Sequence, residues 1–323
     1  MRDHGGDIDR ARARFGAGDW IDLSTGINRT PWPAGPLSGH ALHALPTAAD
    51  LTRLRQAAAG WFGCNPALVL PVAGASAAIQ LLPHVLPRGR AAVLSPTYNE
   101  HAASLRAAGW RVDEPRTIDA LHGAGLAVIV NPNNPDGRNW TPDKIRALAS
   151  RVGHLIVDES FADPRPDLSV AEVLPENATV LRSFGKFWGL AGLRLGFVIA
   201  QPPVARQLAE RAGPWPLSGP AIQIGTAALA DTAWTRATIT WLAEAALHLD
   251  QTLGKAGARL VGGTHLFRLY DLPGAAQMQE RLASNHIWSR TFPYNPRWLR
   301  LGLPARDEFA RLHAALGQRT MLT

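Results

Sequence analysis

The stretch Thr179-Val180-Leu181-Arg182-Ser183-Phe184-Gly185-Lys186-Phe187-Trp188-Gly189-Leu190-Ala191-Gly192-Leu193-Arg194-Leu195-Gly196-Phe197-Val198-Ile199-Ala200 decides the architecture. It opens on the apolar, β-branched run Thr179–Leu181 and closes on a second run, Gly196–Ala200. A glycine-rich segment carrying Lys186 lies between them. Short apolar runs of this kind suit strands buried on both faces of a mostly parallel sheet. Three more stand upstream, at Ala91–Leu94, Leu126–Val130 and Leu155–Val157. Helical stretches separate them: Ala75–Leu86 after Gly74, Asn99–Ala108 after Pro96-Thr97-Tyr98, and Asp143–Val152 after Thr141-Pro142, which reads as an N-cap and first helical residue. Strand and helix in alternation predict an α/β domain.

The pattern changes after about residue 220. A long helical region from Ala221 to Ala256 is followed by strand-like runs at His265–Tyr270, Ile287–Phe292 and Trp298–Leu301, with helices at Ala275–Asn285 and Asp307–Leu316 between or after them. This predicts a second, smaller α+β lobe. The first thirty or so residues are punctuated by Gly and Pro and cannot form a domain alone. The expected organisation is an N-terminal arm over residues 1–34, a large domain over 35–225 and a small domain over 226–323.

With 323 residues, 46% of them hydrophobic and 18% charged, the chain can bury a large core and is not of the disordered class. The net charge is +7, with Arg far outnumbering Lys, but there is no Lys/Arg run of the nucleic-acid type. The Arg excess therefore reads as raising the charge without a polymeric partner, and neither nucleic acid nor membrane is expected. Cys64 is the single cysteine, so no internal disulfide is expected and a cytoplasmic setting fits. The N-terminus lacks the apolar stretch of a signal peptide, and no run approaches membrane-spanning length.

Ligands of open α/β sheets bind beyond the carboxyl ends of the strands. The chemically capable residues fall at such ends. Gly74-Ala75-Ser76 follows Val69–Ala73 and opens a helix, where backbone N–H groups can hold a phosphate. Asn131-Pro132-Asn133-Asn134-Pro135-Asp136-Gly137 follows Leu126–Val130, Asp158 follows Leu155–Val157, and Ser183-Phe184-Gly185-Lys186 follows Thr179–Arg182. Any one of these suits a turn or a cap. Four in one lobe, carrying an amine, an acid, an amide and hydroxyls, are harder to assign to turns and caps alone.

These segments, in this order, resemble the class I/II aminotransferase-like (fold type I) enzymes that use pyridoxal 5'-phosphate (PLP). The similarity rests chiefly on Lys186 followed eight residues later by Arg194 in Gly192-Leu193-Arg194-Leu195-Gly196. It implies a large domain with a mostly parallel central sheet flanked by helices, plus a small α+β domain. It implies that Lys186 carries the cofactor through its amine, that Asp158 faces the pyridine nitrogen and keeps it protonated, and that Asn134 bonds the ring hydroxyl. Tyr98 would stack on the ring, and His101 would support Asp158. Gly74, Ala75, Ser76, Ser183 and Arg194 would bind the phosphate, Arg by its fork of donors. The catalytic set is Lys186, Asp158 and Tyr98. Many relatives place Tyr three residues after the acid, whereas this chain has Phe161 and no hydroxyl there.

Further segments narrow the resemblance. His4-Gly5-Gly6-Asp7, Asp22-Leu23-Ser24-Thr25-Gly26-Ile27-Asn28, Asp158-Glu159-Ser160-Phe161-Ala162-Asp163 and Pro214-Trp215-Pro216-Leu217-Ser218 are similar to the threonine-phosphate decarboxylases of cobalamin biosynthesis. Histidinol-phosphate aminotransferases share the core motifs and are the alternative. The resemblance implies conversion of L-threonine O-3-phosphate to (R)-1-aminopropan-2-yl phosphate and carbon dioxide. It implies a homodimer without a metal, and an arm that closes on the active site. Arg300 would bind the substrate carboxylate and Arg290 the substrate phosphate, with His4, Gly26, Asn28 and Asn134 completing the substrate site.

Overall fold

A computed structural model describes residues 4–317 of the chain. In chain order its elements are α1 (Ile8–Phe15), β1 (Ile21–Asp22), α2 (Gly39–His43), α3 (Ala48–Phe62), β2 (Val69–Val72), α4 (Ala75–Leu81), β3 (Arg90–Val93), α5 (Glu100–Ala107), β4 (Arg111–Asp113), β5 (Leu126–Val130), α6 (Pro142–Ala149), β6 (His154–Asp158), β7 (Ala178–Ser183), α7 (Phe184–Phe187), β8 (Gly196–Ala200), α8 (Pro202–Ala212), α9 (Gly219–Ala230), α10 (Thr232–Lys255), β9 (Arg259–Thr264), β10 (Phe267–Asp271), α11 (Ala275–Ala283), β11 (Ile287–Trp288), β12 (Arg290–Phe292), β13 (Asn295–Gly302) and α12 (Glu308–Ala315), with short 3-10 turns between some of them. Two units emerge. One takes the N-terminal residues through Pro31, Pro135–Gly137 and the chain from Thr235 onward. The other takes Trp32–Asn134 and Arg138–Trp234.

The larger unit is built on a seven-stranded sheet in the order β2-β8-β7-β6-β5-β3-β4. Strands β4, β3, β5, β6 and β7 pair in parallel, and β8 runs antiparallel to both of its neighbours. The sheet is thus mostly parallel, as the apolar runs predict. Strands β5 and β8 are buried along their whole length, which is why their sequences do not alternate. One face packs Ile79, Leu82, Leu105 and Trp110 against Val93, Val128 and Leu181. Local signals set the helix ends. Thr47 and Asp50 form a reciprocal capping box on α3, and left-handed Gly63 ends it. Thr141 caps α6, with Pro142 in its first turn.

The smaller unit carries a four-stranded antiparallel sheet, β12-β13-β10-β9, and a separate parallel pair, β1 with β11. The N-terminal stretch is stitched into this unit. Gly302 N–H donates to Leu23 O at 2.7 Å, and Ala11, Trp20, Ala283 and Trp288 share a small core. Among the described residues no helix is long and apolar enough to cross a membrane.

Several elements differ from expectation. The helical region over 221–256 is two helices broken at Asp231, whose carboxylate accepts from Trp32 Nε1 at 3.0 Å and from Trp234 N–H at 2.9 Å. The run Ile287–Phe292 is two short strands on either side of Ser289, each pairing in a different sheet. Helix α4 stops at Leu81 and tightens into a 3-10 turn over Leu82–His84. Edge strand β4 was not expected at all.

Candidate active site

In the larger unit, Gly74, Ala75, Ser76, Tyr98, Asn134, Asp158, Ser183, Lys186 and Arg194 line one pocket, together with Ser160 and Phe161. These residues come from the carboxyl ends of β2, β3, β5, β6 and β7 and the turns that follow, with Arg194 on the turn that leads into β8. The sheet order explains the gathering, since β5, β6 and β7 are consecutive parallel neighbours and end together. The chain has three lysines, Lys144, Lys186 and Lys255. Lys186 lines the pocket, and the other two are exposed on helices.

Lys186 sits in the single-turn helix α7, whose N-cap position is Ser183. A wall of rings fixes that turn. Phe184 and Trp188 stack with centroids 4.6 Å apart, and Phe187 packs on Trp61, Trp188 and Trp234. Two glycines allow the close approaches. A Cβ on Gly185 would come within 2.7 Å of Ala191 Cα, and one on Gly196 within 2.4 Å of Ala75 N. The Lys186 ammonium nitrogen lies 5.6 Å from the centroid of the Phe161 ring. A hydroxyl is therefore absent from the side chain that faces this amine.

Asp158 ends β6 and is 2% exposed. His101 Nε2 lies 2.8 Å from its Oδ2, while Oδ1 accepts from Ser160 N–H at 2.9 Å and from Ser160 Oγ at 2.5 Å. Burial pushes this carboxyl up, but the hydrogen bond and charge of His101 and the two Ser160 donors outweigh it, and the group lies below the usual carboxylate range. His101 projects from α5, and its ring meets Tyr98 edge-on at 6.1 Å. The loops bearing Tyr98 and Asn134 are tied to each other. Thr97 Oγ1 donates to Asn133 Oδ1 at 2.6 Å, Asn133 Nδ2 donates to Pro96 O at 3.0 Å, and Asn131 closes the loop by exchanging bonds with the Trp140 backbone.

Arg194 adopts a left-handed backbone, φ 53°, and donates to Ala191 O at 3.1 Å. Its guanidinium lies across Gly74, whose φ is +82°, so a Cβ there would come within 3.0 Å of Nη2. Gly74 thus leaves room beside a cation, at the start of a helix, with Ser76 and Ser183 in the same pocket wall. An amine, a hydrogen-bonded carboxylate, an amide, an aromatic ring and a cation-flanked helix start match the functional groups of PLP in turn, and the residues present fit that cofactor.

Sequence reasoning missed the residues behind this wall. Glu159 turns away from Asp158 into a closed cluster. Arg182 Nη1 donates to Glu159 Oε2 at 2.8 Å, Arg182 also pairs with Asp163, and Trp61 Nε1 donates to Asp163 at 3.0 Å. The Arg182 guanidinium lies 4.5 Å from the Phe62 ring centroid. Ser160 was also missed. Its signal was an Asp-x-Ser sequence at a strand end, where the Asp side chain can close a turn on the backbone two residues on.

The expected substrate residues lie in the smaller unit. Arg300 is buried in β13, with its guanidinium donating to Ser24 O at 2.7 Å and lying 5.2 Å from the Phe267 centroid. It is therefore brought to the Ser24–Asn28 strip, where Gly26 is buried and Asn28 Oδ1 accepts from Thr30 N–H at 3.0 Å. Arg290 and His4 line a cleft of that unit together with Ser24, Arg10, Arg14 and Gln279. Among the described residues no group of acidic, His or Cys side chains is arranged to hold a metal.

Fold and pocket together define a class, and the chain belongs to the aminotransferase class I and II family, whose model matches residues 18–316. It is a PLP protein by that membership. Within the class it is 46% identical over 310 residues to the threonine-phosphate decarboxylase of Sinorhizobium sp., covering 93% of this chain and 92% of the relative. It is 40% identical to the threonine-phosphate decarboxylase of Pseudomonas aeruginosa, covering 98% and 97%. The solved histidinol-phosphate aminotransferase of Sinorhizobium meliloti, in complex with pyridoxal-5'-phosphate, superposes with a TM-score of 0.79 at 21% identity, covering 95% of this chain and 92% of that one, which is a likeness of fold.

Proposed function

We propose that this chain is a PLP-dependent carboxy-lyase that converts L-threonine O-3-phosphate to (R)-1-aminopropan-2-yl phosphate and carbon dioxide, in cobalamin biosynthesis. The observation that carries this reading is near full-length identity of 46% and 40% to two threonine-phosphate decarboxylases. The pocket chemistry supports it. When bound, the cofactor supplies a conjugated electron sink for the pair left behind by the departing carboxylate. Every other requirement falls on side chains of this chain.

Lys186 Nζ is assigned to hold the cofactor, to give way to the substrate amine, and then to return a proton to Cα. Asp158, kept anionic by His101 and Ser160, is assigned to hold the proton on the ring nitrogen. Asn134 serves the ring hydroxyl, Tyr98 covers the ring, and Gly74, Ala75, Ser76, Ser183 and Arg194 hold the phosphate. Arg300 is assigned to the substrate carboxylate, and Arg290 with His4, Gly26 and Asn28 to the rest of the substrate. Which bond to Cα breaks depends on orientation, so the cation holding the carboxylate selects decarboxylation over loss of the α-hydrogen. The Phe161 ring, its centroid 5.6 Å from Lys186 Nζ, offers that amine no hydroxyl, which favours delivery of its proton to Cα. A homodimer in the cytoplasm completes the proposal.

The test is incubation of the enzyme with threonine phosphate and PLP, with and without 2-oxoglutarate. Carbon dioxide release that does not depend on the 2-oxo acid is expected. Turnover that requires 2-oxoglutarate and yields a keto product would overturn the lyase reading in favour of an aminotransferase.

A further inference from the structure

We propose that Ser160 is a positioning residue of the site: its hydroxyl, donated to Asp158 Oδ1, orients that carboxylate and keeps it the less basic partner of the cofactor's ring nitrogen. The inference rests on the assignment of Asp158 to that nitrogen.

A carboxylate offers about four acceptor positions. In Asp158, three are taken: one by His101 Nε2 on Oδ2, and two on Oδ1 by the N–H and the hydroxyl of Ser160. The remaining position is available to the pocket, which Asp158 and Ser160 both line. The backbone N–H alone would close the local turn. An alanine at 160 would keep that bond, so the turn gives no reason for the hydroxyl. What the hydroxyl adds is a second donor on the same oxygen, at 2.5 Å, in the short range of O–H···O⁻ bonds.

Position 161 sharpens the case. The Phe161 ring faces Lys186 without a hydroxyl, and the preceding residue presents one to Asp158 instead. The hydroxyl of the loop after β6 therefore bears on Asp158 rather than on the lysine. The groups around Asp158 that could share its proton are His101 on α5, Tyr98 on the preceding loop and Lys186 on α7. Each extra donor on Oδ1 lowers the basicity of the carboxylate. In a carboxylate–pyridine pair the less basic member leaves the proton on the other, so Ser160 favours the protonated ring.

The test uses the full chain reconstituted with PLP labelled with 15N at the ring nitrogen. The readouts are the 15N chemical shift, the Kd for cofactor and the melting temperature of the apo-protein. Asp158→Asn should move the shift to the unprotonated value. Ser160→Ala should move it part of the way and weaken cofactor binding on the order of ten-fold, and Ser160→Thr should restore both. A Ser160→Ala protein with the wild-type shift and Kd, while Asp158→Asn has moved, overturns the role of Ser160 alone. If only the apo melting temperature moves, the hydroxyl is structural and the proposal fails. An unmoved shift in Asp158→Asn overturns the assignment of Asp158 and the proposal with it.

Discussion

Asp158 and Glu159 leave the same strand end one peptide apart, both buried, and the protein treats them in opposite ways. Asp158 is held by hydrogen bonds and lies below the usual carboxylate range. For Glu159 burial is the larger influence. It outweighs the Arg182 charge and the bonds from Ser169 and Val170 N–H, so the carboxyl is pushed up. The two sides of the strand end differ in their stoichiometry. On the pocket side, donors fill part of one carboxylate and leave an acceptor position over. On the far side, one guanidinium serves two carboxylates, Glu159 and Asp163, and side-chain and backbone donors close the rest. Burial alone thus does not mark the reactive acid. The mark is a satisfied anion with capacity to spare toward an open pocket.

If the far side is a closed structural cluster, its cation carries most of the stability. Arg182→Met leaves two buried carboxylates facing each other and should destabilise the apo-protein by about 3–5 kcal/mol, measured by urea unfolding. A loss below about 1 kcal/mol would mean the cluster is not structural and would erase the contrast.

The other end of β6 supplies the next largest effect. Burial holds His154 down to about 4, with Nε2 at 2.9 Å from Thr179 Oγ1. The folded value lies below the unfolded one, so between these two values the unfolded chain binds more protons and stability rises with pH. Stability should therefore fall as pH drops from the ordinary histidine range to about 4. The loss is up to about 3 kcal/mol. Asp158, depressed in the fold, contributes stability that is present above the usual carboxylate value and is lost only below it. His154→Asn should flatten the upper limb and leave the lower one. A variant that keeps the upper limb would assign it to another group.

Most of the pocket side was legible from sequence because its signals are local. An apolar run that stops at an acid, a glycine-punctuated turn around a lysine and a helix opening on Gly-Ala-Ser each fit within a few residues. The far side was not legible. Arg182 stands next to last in β7 and reads as one more residue of an apolar strand, while its partners stand 23 and 19 positions upstream. The break at Asp231 has no Gly or Pro to announce it and depends on Trp32, 199 residues away. Strand β4 is three residues long at a sheet edge, too short for a period to show. Ile287–Phe292 reads as one strand, because apolar runs do not record which neighbour each half will pair with. Interactions closed by distant partners are set by topology, and local pattern does not carry them.

The two smallest effects sharpen the contrast. Asp158→Asn in the apo-protein removes charge-assisted acceptors from His101 and Ser160 but strands no arginine, and should cost about 1–2 kcal/mol in urea unfolding. After dialysis the same variant should fail to retain cofactor. A loss as large as that of Arg182→Met would place Asp158 in the structural class and collapse the distinction.

Glu159→Gln is the finest test. Removing one member of a buried ion pair ordinarily strands the other. In this cluster it leaves Arg182 with Asp163, one cation to one anion, and it replaces a carboxylate whose ionised form burial already disfavours. The glutamine oxygen can stand at the Oε2 place and keep the bonds from Arg182 and Ser169 Oγ, which sets the amide nitrogen against Val170 N–H and leaves one backbone donor unpaired. The expected change is therefore about 1 kcal/mol, the low end of the cost of one unpaired donor, although Glu159 is fully buried. A loss near 3 kcal/mol would instead mean that Arg182 needs both carboxylates ionised. The pocket acid and its neighbour would then differ in position but not in kind.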